Sequence, residues 1–184
     1  SPFLPDFLYY KFDDPGSSVD NDGTAPVGAN PANILGSHVA GGTGLEGTGL
    51  VGTGGSSGTN YVNTGWNTNL PNGFTIAFWV DNFPGGLFQY IWGDNTAGSF
   101  RCFANGAAGA NNLVVRGPFT QLLVTGAADG NPHMVHVVYD QTTGDFTSYV
   151  DGVLNTNVNI GTTVSISGSA PFKIGGYATS AGLN

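Results

Sequence analysis

Residues 132–154, PHMVHVVYDQTTGDFTSYVDGVL, decide how the chain folds. In the first arm Val135, Val137 and Tyr139 alternate with Met134, His136 and Val138. In the second, Phe146, Ser148 and Val150 alternate with Thr147, Tyr149 and Asp151. Period-two alternation of β-branched and aromatic residues marks strands, because successive side chains point to opposite faces of a sheet. Between the arms, Asp140 to Asp145 includes Gly144, which accepts the positive φ of a short hairpin turn. Asp151-Gly152 makes a second turn, and Val153-Leu154 opens a third strand. A meander of this kind exposes an apolar face that needs a second sheet to cover it.

Outward from the meander, the same pattern recurs. Gly73–Val80 (GFTIAFWV) splits by parity into Phe74, Ile76, Phe78 and Val80 on the core face and Thr75, Ala77 and Trp79 on the other. Shorter strands are expected at Phe7–Phe12, Asn33–Val39, Asn60–Asn63, Leu87–Trp92, Phe100–Ala104, Leu113–Arg116, Gln121–Thr125, Val158–Ile160, Val164–Ile166 and Phe172–Ile174. A further, weakly apolar strand falls within the Gly-rich stretch Gly41–Gly58. No apolar spacing of helical period outscores alternation, and no fixed repeat stands out. The expectation is an all-β, two-sheet antiparallel jelly-roll sandwich.

Composition narrows the function. The 184 residues include 4 Lys+Arg against 12 Asp+Glu, for a formal net charge of −8. A chain this poor in cations is not expected to bind nucleic acid, where neutralising phosphates supplies most affinity, nor an anionic membrane surface. No apolar run is long enough for a membrane span, and the first residues lack the pattern of a signal peptide. The 31 Gly favour turns, while 12 Phe, 7 Tyr and 3 Trp supply a core. Cys102 is alone, so no internal disulfide forms, and its place in SFRCFAN suits a buried small hydrophobe.

Several of these segments resemble the laminin-G-like, concanavalin-A-like jelly rolls, a group with many bacterial secreted modules. The family's "W-H-x-V-x-V-x-Y-D", turn and "L-Y-V-D-G" is matched by residues 133–152, with Pro132 at the usual Trp. Leu8–Asp13 is similar to an opening "L-Y-x-F-D", Asn21–Thr24 to "N-D-G-T", Phe74–Val80 to "F-T-I-S-x-W-V", and Pro171–Gly175 to "P-L-x-I-G". The resemblance covers about residues 8–177 and implies one domain over 1–184. A closing strand usual in the family does not follow Gly175. Set against the resemblance, the chain is expected either to be a fragment of a longer one or to take its last jelly-roll strand from another chain or a following domain. Unpaired edges of this kind invite strand addition.

Catalysis finds little support in the residues. A glucanase-like hydrolase needs two carboxylates about 5–10 Å apart. Members with that activity carry an "E-x-D-x-x-E" type strand, which is missing here; Glu46 is the one Glu. His133 and His136 lie on opposite faces of one strand, and no nucleophile elbow, zinc-protease helix or phosphate loop occurs. Two ligand chemistries remain. Asp13, Asp14, Asp20, Asn21 and Asp22 cluster in one loop and supply the oxygen donors of a structural calcium site, which the resemblance also implies; no other cofactor is expected. Carbohydrate binding would use rings beside amides. Trp79 and His136 share the non-core parity of their strands, Trp66 and Tyr61 fall in the Asn-rich loop NYVNTGWNTN, and Tyr177 follows the last strand. Core packing is the ordinary fate of a strand Trp such as Trp79, and Trp92 is expected to be buried.

The function expected is thus a non-catalytic binding or adhesion module of a secreted or cell-surface protein, recognising carbohydrate. The alternative is a structural subunit of an extracellular filament, appendage or virion surface that self-associates through its faces or sheet edges.

Overall fold

In a computed structural model of the chain, residues 5–44, 47–53, 58–81, 83, 88–179 and 182–183 are described. They hold fourteen strands: β1 (Ser18–Val19), β2 (Ala32–Leu35), β3 (Val39–Thr43), β4 (Thr48–Val51), β5 (Tyr61–Leu70), β6 (Phe74–Val80), β7 (Gln89–Asp94), β8 (Phe100–Ala104), β9 (Leu113–Gly117), β10 (Phe119–Val124), β11 (His133–Asp140), β12 (Asp145–Val150), β13 (Val153–Asn159) and β14 (Ile166–Ile174). The meander forms as read. β13, β12, β11 and β6 make a four-stranded sheet in that order. The cover it requires is an eight-stranded sheet, β1-β2-β5-β14-β7-β8-β9-β10, and β3 and β4 form a separate hairpin. Every pairing is antiparallel. The molecule is a jelly-roll sandwich of two sheets.

Parity places the core. Val135, Val137 and Tyr139 of β11 are buried, with Phe78, Ile76 and Phe74 of β6 as their cross-strand partners and Phe146 of β12 opposite Tyr139. From the larger sheet come Phe100, Cys102 and Ala104, Leu113 and Val115, and Leu122 and Val124, all buried. Rings cross the gap: Phe74 lies 5.9 Å from Phe100, Phe119 5.0 Å from Phe146, and Phe78 6.1 Å from Trp92, each edge-on. Edge-to-face pairs add to what burial alone provides, because the positive rim of one ring meets the negative face of the next. Trp92 and Cys102 are buried as expected.

Several readings of the chain need correction. Phe7–Phe12 is not a strand. Its carbonyls instead accept from a loop and from the Gly-rich segment (Asp22 N–H to Tyr9, Val27 N–H to Phe7, Gly41 N–H to Phe12), and Phe12 has a φ of 56°. Asn33–Val39 is divided between β2 and β3 by a turn in which Gly36 takes a φ of 71°. The Gly-rich stretch holds both strands of the β3–β4 hairpin rather than one strand; Glu46 and Leu45 lie outside the described residues. The strand at Asn60–Asn63 is the start of β5, ten residues long.

The last of these has a clear cause. On β5, Val62, Thr64, Thr68 and Leu70 are buried and Trp66 is half-buried on the same parity. The threonines read as loop residues, yet each hydroxyl is satisfied inside: Thr64 Oγ1 donates to the Phe172 carbonyl at 2.7 Å and Thr68 Oγ1 to Asp94 Oδ2 at 2.8 Å. A buried hydroxyl with a partner is tolerated where an unpaired one is not. Similarly, Val164–Ile166 and Phe172–Ile174 belong largely to one strand, β14, with register shifts between Ser167 and Lys173. The irregular stretch is tied to the β7–β8 turn, where Thr96 Oγ1 accepts from the amides of Ser169 (2.8 Å) and Ala170 (3.0 Å) and donates to Asp94 Oδ1 (2.7 Å).

Asp94 is 1% exposed and depends on these donors. Thr68→Val keeps the shape of the side chain but leaves a buried carboxylate oxygen short of a donor. It is expected to lower unfolding free energy by about 2 kcal/mol, whereas the exposed neighbour Asn67→Ala changes it by no more than about 0.5 kcal/mol. Urea titration of the two variants checks the difference.

Candidate functional site

The outer face of the four-stranded sheet is built by the residues that alternate with the core set. Register sets them in ranks across the strands. Ala77, His136, Tyr149 and Leu154 form one rank, and Thr75, Val138, Thr147 and Asn157 the next. Trp79 stands opposite Met134 beside the first rank, and Asp140, Asp145 and Asn159 close the other end. Trp79 is 56% exposed and Leu154 61%. Between Tyr149, Leu154, Thr147, Asn157 and the two aspartates lies an open groove of about 370 Å³. Polar groups in it are oriented by one another. Thr147 Oγ1 accepts from Asn157 Nδ2 at 2.7 Å, Asp145 Oδ1 from Asn159 Nδ2 at 3.3 Å, and Asp140 Oδ1 from the Thr142 amide at 2.8 Å.

The five residues expected to touch a ligand are divided among three places. Trp79 and His136 lie together on this outer face, and Trp79 is not in the core. Trp66 is on a strand, not in a loop, and packs inward, with its ring 5.9 Å from Phe172 and 6.4 Å from Phe7. Tyr61 and Tyr177 belong to the outer side of the larger sheet. There Tyr61 lies under the Lys173 ammonium, and Tyr177 is buried against Tyr90. Tyr149, Leu154, Thr147 and Asn157 were not singled out from sequence. Parity in the hairpin gives the face of Thr147 and Tyr149, but Leu154 and Asn157, three residues apart on β13, share that face only through the register shift opposite Ser148 and Tyr149, and joining them to Trp79 requires the β6–β11 register.

Of the five loop residues expected to hold calcium, Asp13, Asp14, Asp20, Asn21 and Asp22, two have their polar atoms engaged within the fold. Asn21 is 3% exposed and its amide is spent on the backbone: Oδ1 accepts from the Tyr9 and Gly23 amides, and Nδ2 donates to the Phe7 and Val27 carbonyls. Asp22 pairs with Lys11 at 2.8 Å. Among the described residues no three His, Cys, Asp or Glu side chains gather. Asn21 is the hub that ties residues 7–9 to the loop.

The class defined by these features is a jelly-roll sandwich with a groove on the outer face of its smaller sheet. The binding domain of Paraclostridial Mosquitocidal Protein 1 has a similar fold, with a TM-score of 0.61 at 13% identity; the match covers 93% of this chain and 45% of that one. The chain thus spans under half the length of that structure. The CBM40 of the Ruminococcus gnavus IT-sialidase aligns with a TM-score of 0.45 at 16% identity, over 67% of this chain and 84% of that one. No protein-family model matches the chain, and no curated protein matches it by sequence. At these identities the likeness is one of fold.

At one end of the groove-bearing sheet, His133 is held between two carboxylates. Its Nδ1 lies 2.8 Å from Asp151 Oδ2 and its Nε2 3.1 Å from Asp129 Oδ1. Both ring nitrogens donate only when the imidazole is protonated. The Asp151 hydrogen bond, followed by that of Asp129, holds the His133 pKa above its ordinary 6.5. The Asp129 pKa is lowered below 3.8 mainly by hydrogen bonds from Asn131, and that of Asp151 by His133 and the Met134 amide. A raised histidine contributes stability that is complete below pH 6.5 and lost as pH rises through the folded value. The lowered aspartates contribute above pH 3.8 and lose it as pH falls through theirs. The clamp is therefore strongest between about pH 4 and 6.5. His133→Gln is expected to lower the melting temperature most near pH 5, with the gap to wild type closing by pH 9. Thermal melts across pH check this.

Proposed function

We propose that the chain is a non-catalytic binding module that recognises carbohydrate on the outer face of its four-stranded sheet. The observation that carries this reading is the wide exposure of Trp79 on the face that also bears His136, Tyr149 and Leu154, the last two of which edge a groove with Thr147, Asn157, Asp140 and Asp145. Aromatic and aliphatic surface suits the apolar face of a sugar ring, and hydroxyl, amide and carboxylate groups suit its hydroxyls. Exposing a tryptophan on a strand costs the burial it would have in the core, so its position favours a ligand. Two points support a non-catalytic role. Both groove aspartates are engaged in holding turns and neighbouring amides, and the sequence lacks the carboxylate strand of the hydrolases it resembles. The motif likeness to laminin-G-like modules supports a place on a secreted or surface protein.

Trp79→Ala and Tyr149→Ala are each expected to weaken binding to the preferred neutral glycan by about tenfold or more. Both side chains lie outside the core, so melting temperature should hardly move. A glycan array followed by titration calorimetry reads both. Binding that survives the two substitutions, or glycan cleavage by the wild type, overturns the reading.

Assembly is the second reading, and β6 favours it. This strand ends the four-stranded sheet, and its sequence, FTIAFWV, has no charge, Pro or Gly to discourage pairing with another strand. If assembly is the function, light scattering finds a defined oligomer or filament, and Thr75→Lys disperses it; a monomer at all concentrations sinks this alternative.

A further inference from the structure

The outer face of the larger sheet carries a different chemistry. The chain has four cationic side chains against twelve acidic ones, and three of the four fall in one line. Lys173 on β14 pairs with Gly93 on β7, Gly93 with Arg101 on β8, and Arg101 with Arg116 on β9. Asn63 on β5 extends the same line beyond Lys173. With strands about 4.8 Å apart, the three cations span roughly 14 Å at right angles to the strands.

This arrangement works against the fold. Arg101 and Arg116 are directly opposite one another, and like charges at that position are destabilising. Among the described residues neither has a carboxylate partner. Arg101 instead donates to the Ser99 carbonyl at 2.7 Å, and its Nε is buried without an acceptor. Arg116 Nε donates to Gln121 Oε1 at 2.8 Å. The guanidiniums are held by rings: both lie over Phe103, at 5.8 Å and 5.2 Å, and Arg101 also lies over Tyr177 at 5.0 Å. Gly93 makes this possible, because a Cβ there would come within 2.8 Å of Arg101 Cβ and 2.9 Å of the Tyr177 ring. Two guanidiniums fixed side by side without a counter-charge form a fork for an oxyanion. Exposed Asn67 and Asn69 share the face and offer amides to hydroxyl groups.

We propose that this line of cations is a second binding site, which takes the sulfate or carboxylate groups of an acidic polysaccharide. The net negative charge of the chain does not prevent this, since charges more than about 8 Å away are largely screened at physiological ionic strength. The site is independent of the groove on the opposite sheet.

The test is affinity electrophoresis and calorimetry of the whole chain with dextran sulfate, polygalacturonate and neutral dextran. The wild type should be retained by at least one of the two acidic polymers in a salt-sensitive manner and not, on this face, by dextran; which polymer it prefers distinguishes sulfate from carboxylate. Arg116→Gln and Arg101→Gln should each weaken that binding about tenfold or more, while Trp79→Ala leaves it unchanged. Because Arg116→Gln relieves a like-charge pair, its melting temperature should equal or exceed that of the wild type. Failure to bind either acidic polymer overturns the proposal. So does a variant that melts lower and binds as well, which would make the arginines covers for Phe103 only. Retention of a single-stranded oligonucleotide in place of both polymers would also overturn it. Loss of the acidic-polymer signal in the arginine variants alone, or of the neutral-glycan signal in Trp79→Ala alone, separates this site from the groove.

Discussion

The interlocking of rings between the two sheets is the constraint on which the rest depends. Phe74, Phe146 and Phe78 from one side meet Phe100, Phe119 and Trp92 from the other. Their burial provides the driving force, and their edge-on contacts fix how the sheets face each other. Once the inward parity of β6, β11 and β12 is set by these residues, the outward parity has no freedom left. Trp79, His136 and Tyr149 must face solvent because Phe78, Val135, Val137 and Ser148 do not. A slip of one residue in any of these strands would exchange the two sets. The candidate groove and the core are therefore determined by the same register.

Polar residues complete the fold where rings are lacking. β5 runs through the larger sheet with threonines directed inward, and its neighbour β14 is held by Thr96 and Asp94. These groups form a connected set: Thr68 to Asp94, Asp94 to Thr96, Thr96 to the backbone of Ser169 and Ala170. Networks of this type specify geometry when each member is satisfied. Asn21 does the same work for residues 7–9, which lie outside the ladders.

This division explains what could be read in advance. The β11–β12 hairpin and β6 were legible because alternation there separates apolar from polar side chains, and β8 was legible from Phe100 to Ala104. β5 was hidden because Thr64 and Thr68 are polar and buried at once, a pairing that hydropathy cannot express. The stretch from Val164 to Ile174 looked like two strands because the register shift between Ser167 and Lys173 breaks the alternation. Phe7–Phe12 has strand composition, but its partners are a loop and a glycine. Among site residues, parity alone linked Trp79 to His136, but it could not place Trp66, which depended on β5. The line through Lys173, Gly93, Arg101 and Arg116 was illegible in principle, since those positions are scattered through the chain and only pairing brings them into register.

The two outer surfaces lie back to back across one core, and that has a consequence for valency. The tryptophan-bearing face and the arginine-bearing one look in opposite directions, so a short ligand held on one does not reach the other. Two polymers bound at once would be held apart by the thickness of the sandwich, about 10 Å between sheet planes plus side chains. If both faces bind as proposed, one copy of the chain would join an uncharged polymer to an acidic one without oligomerising.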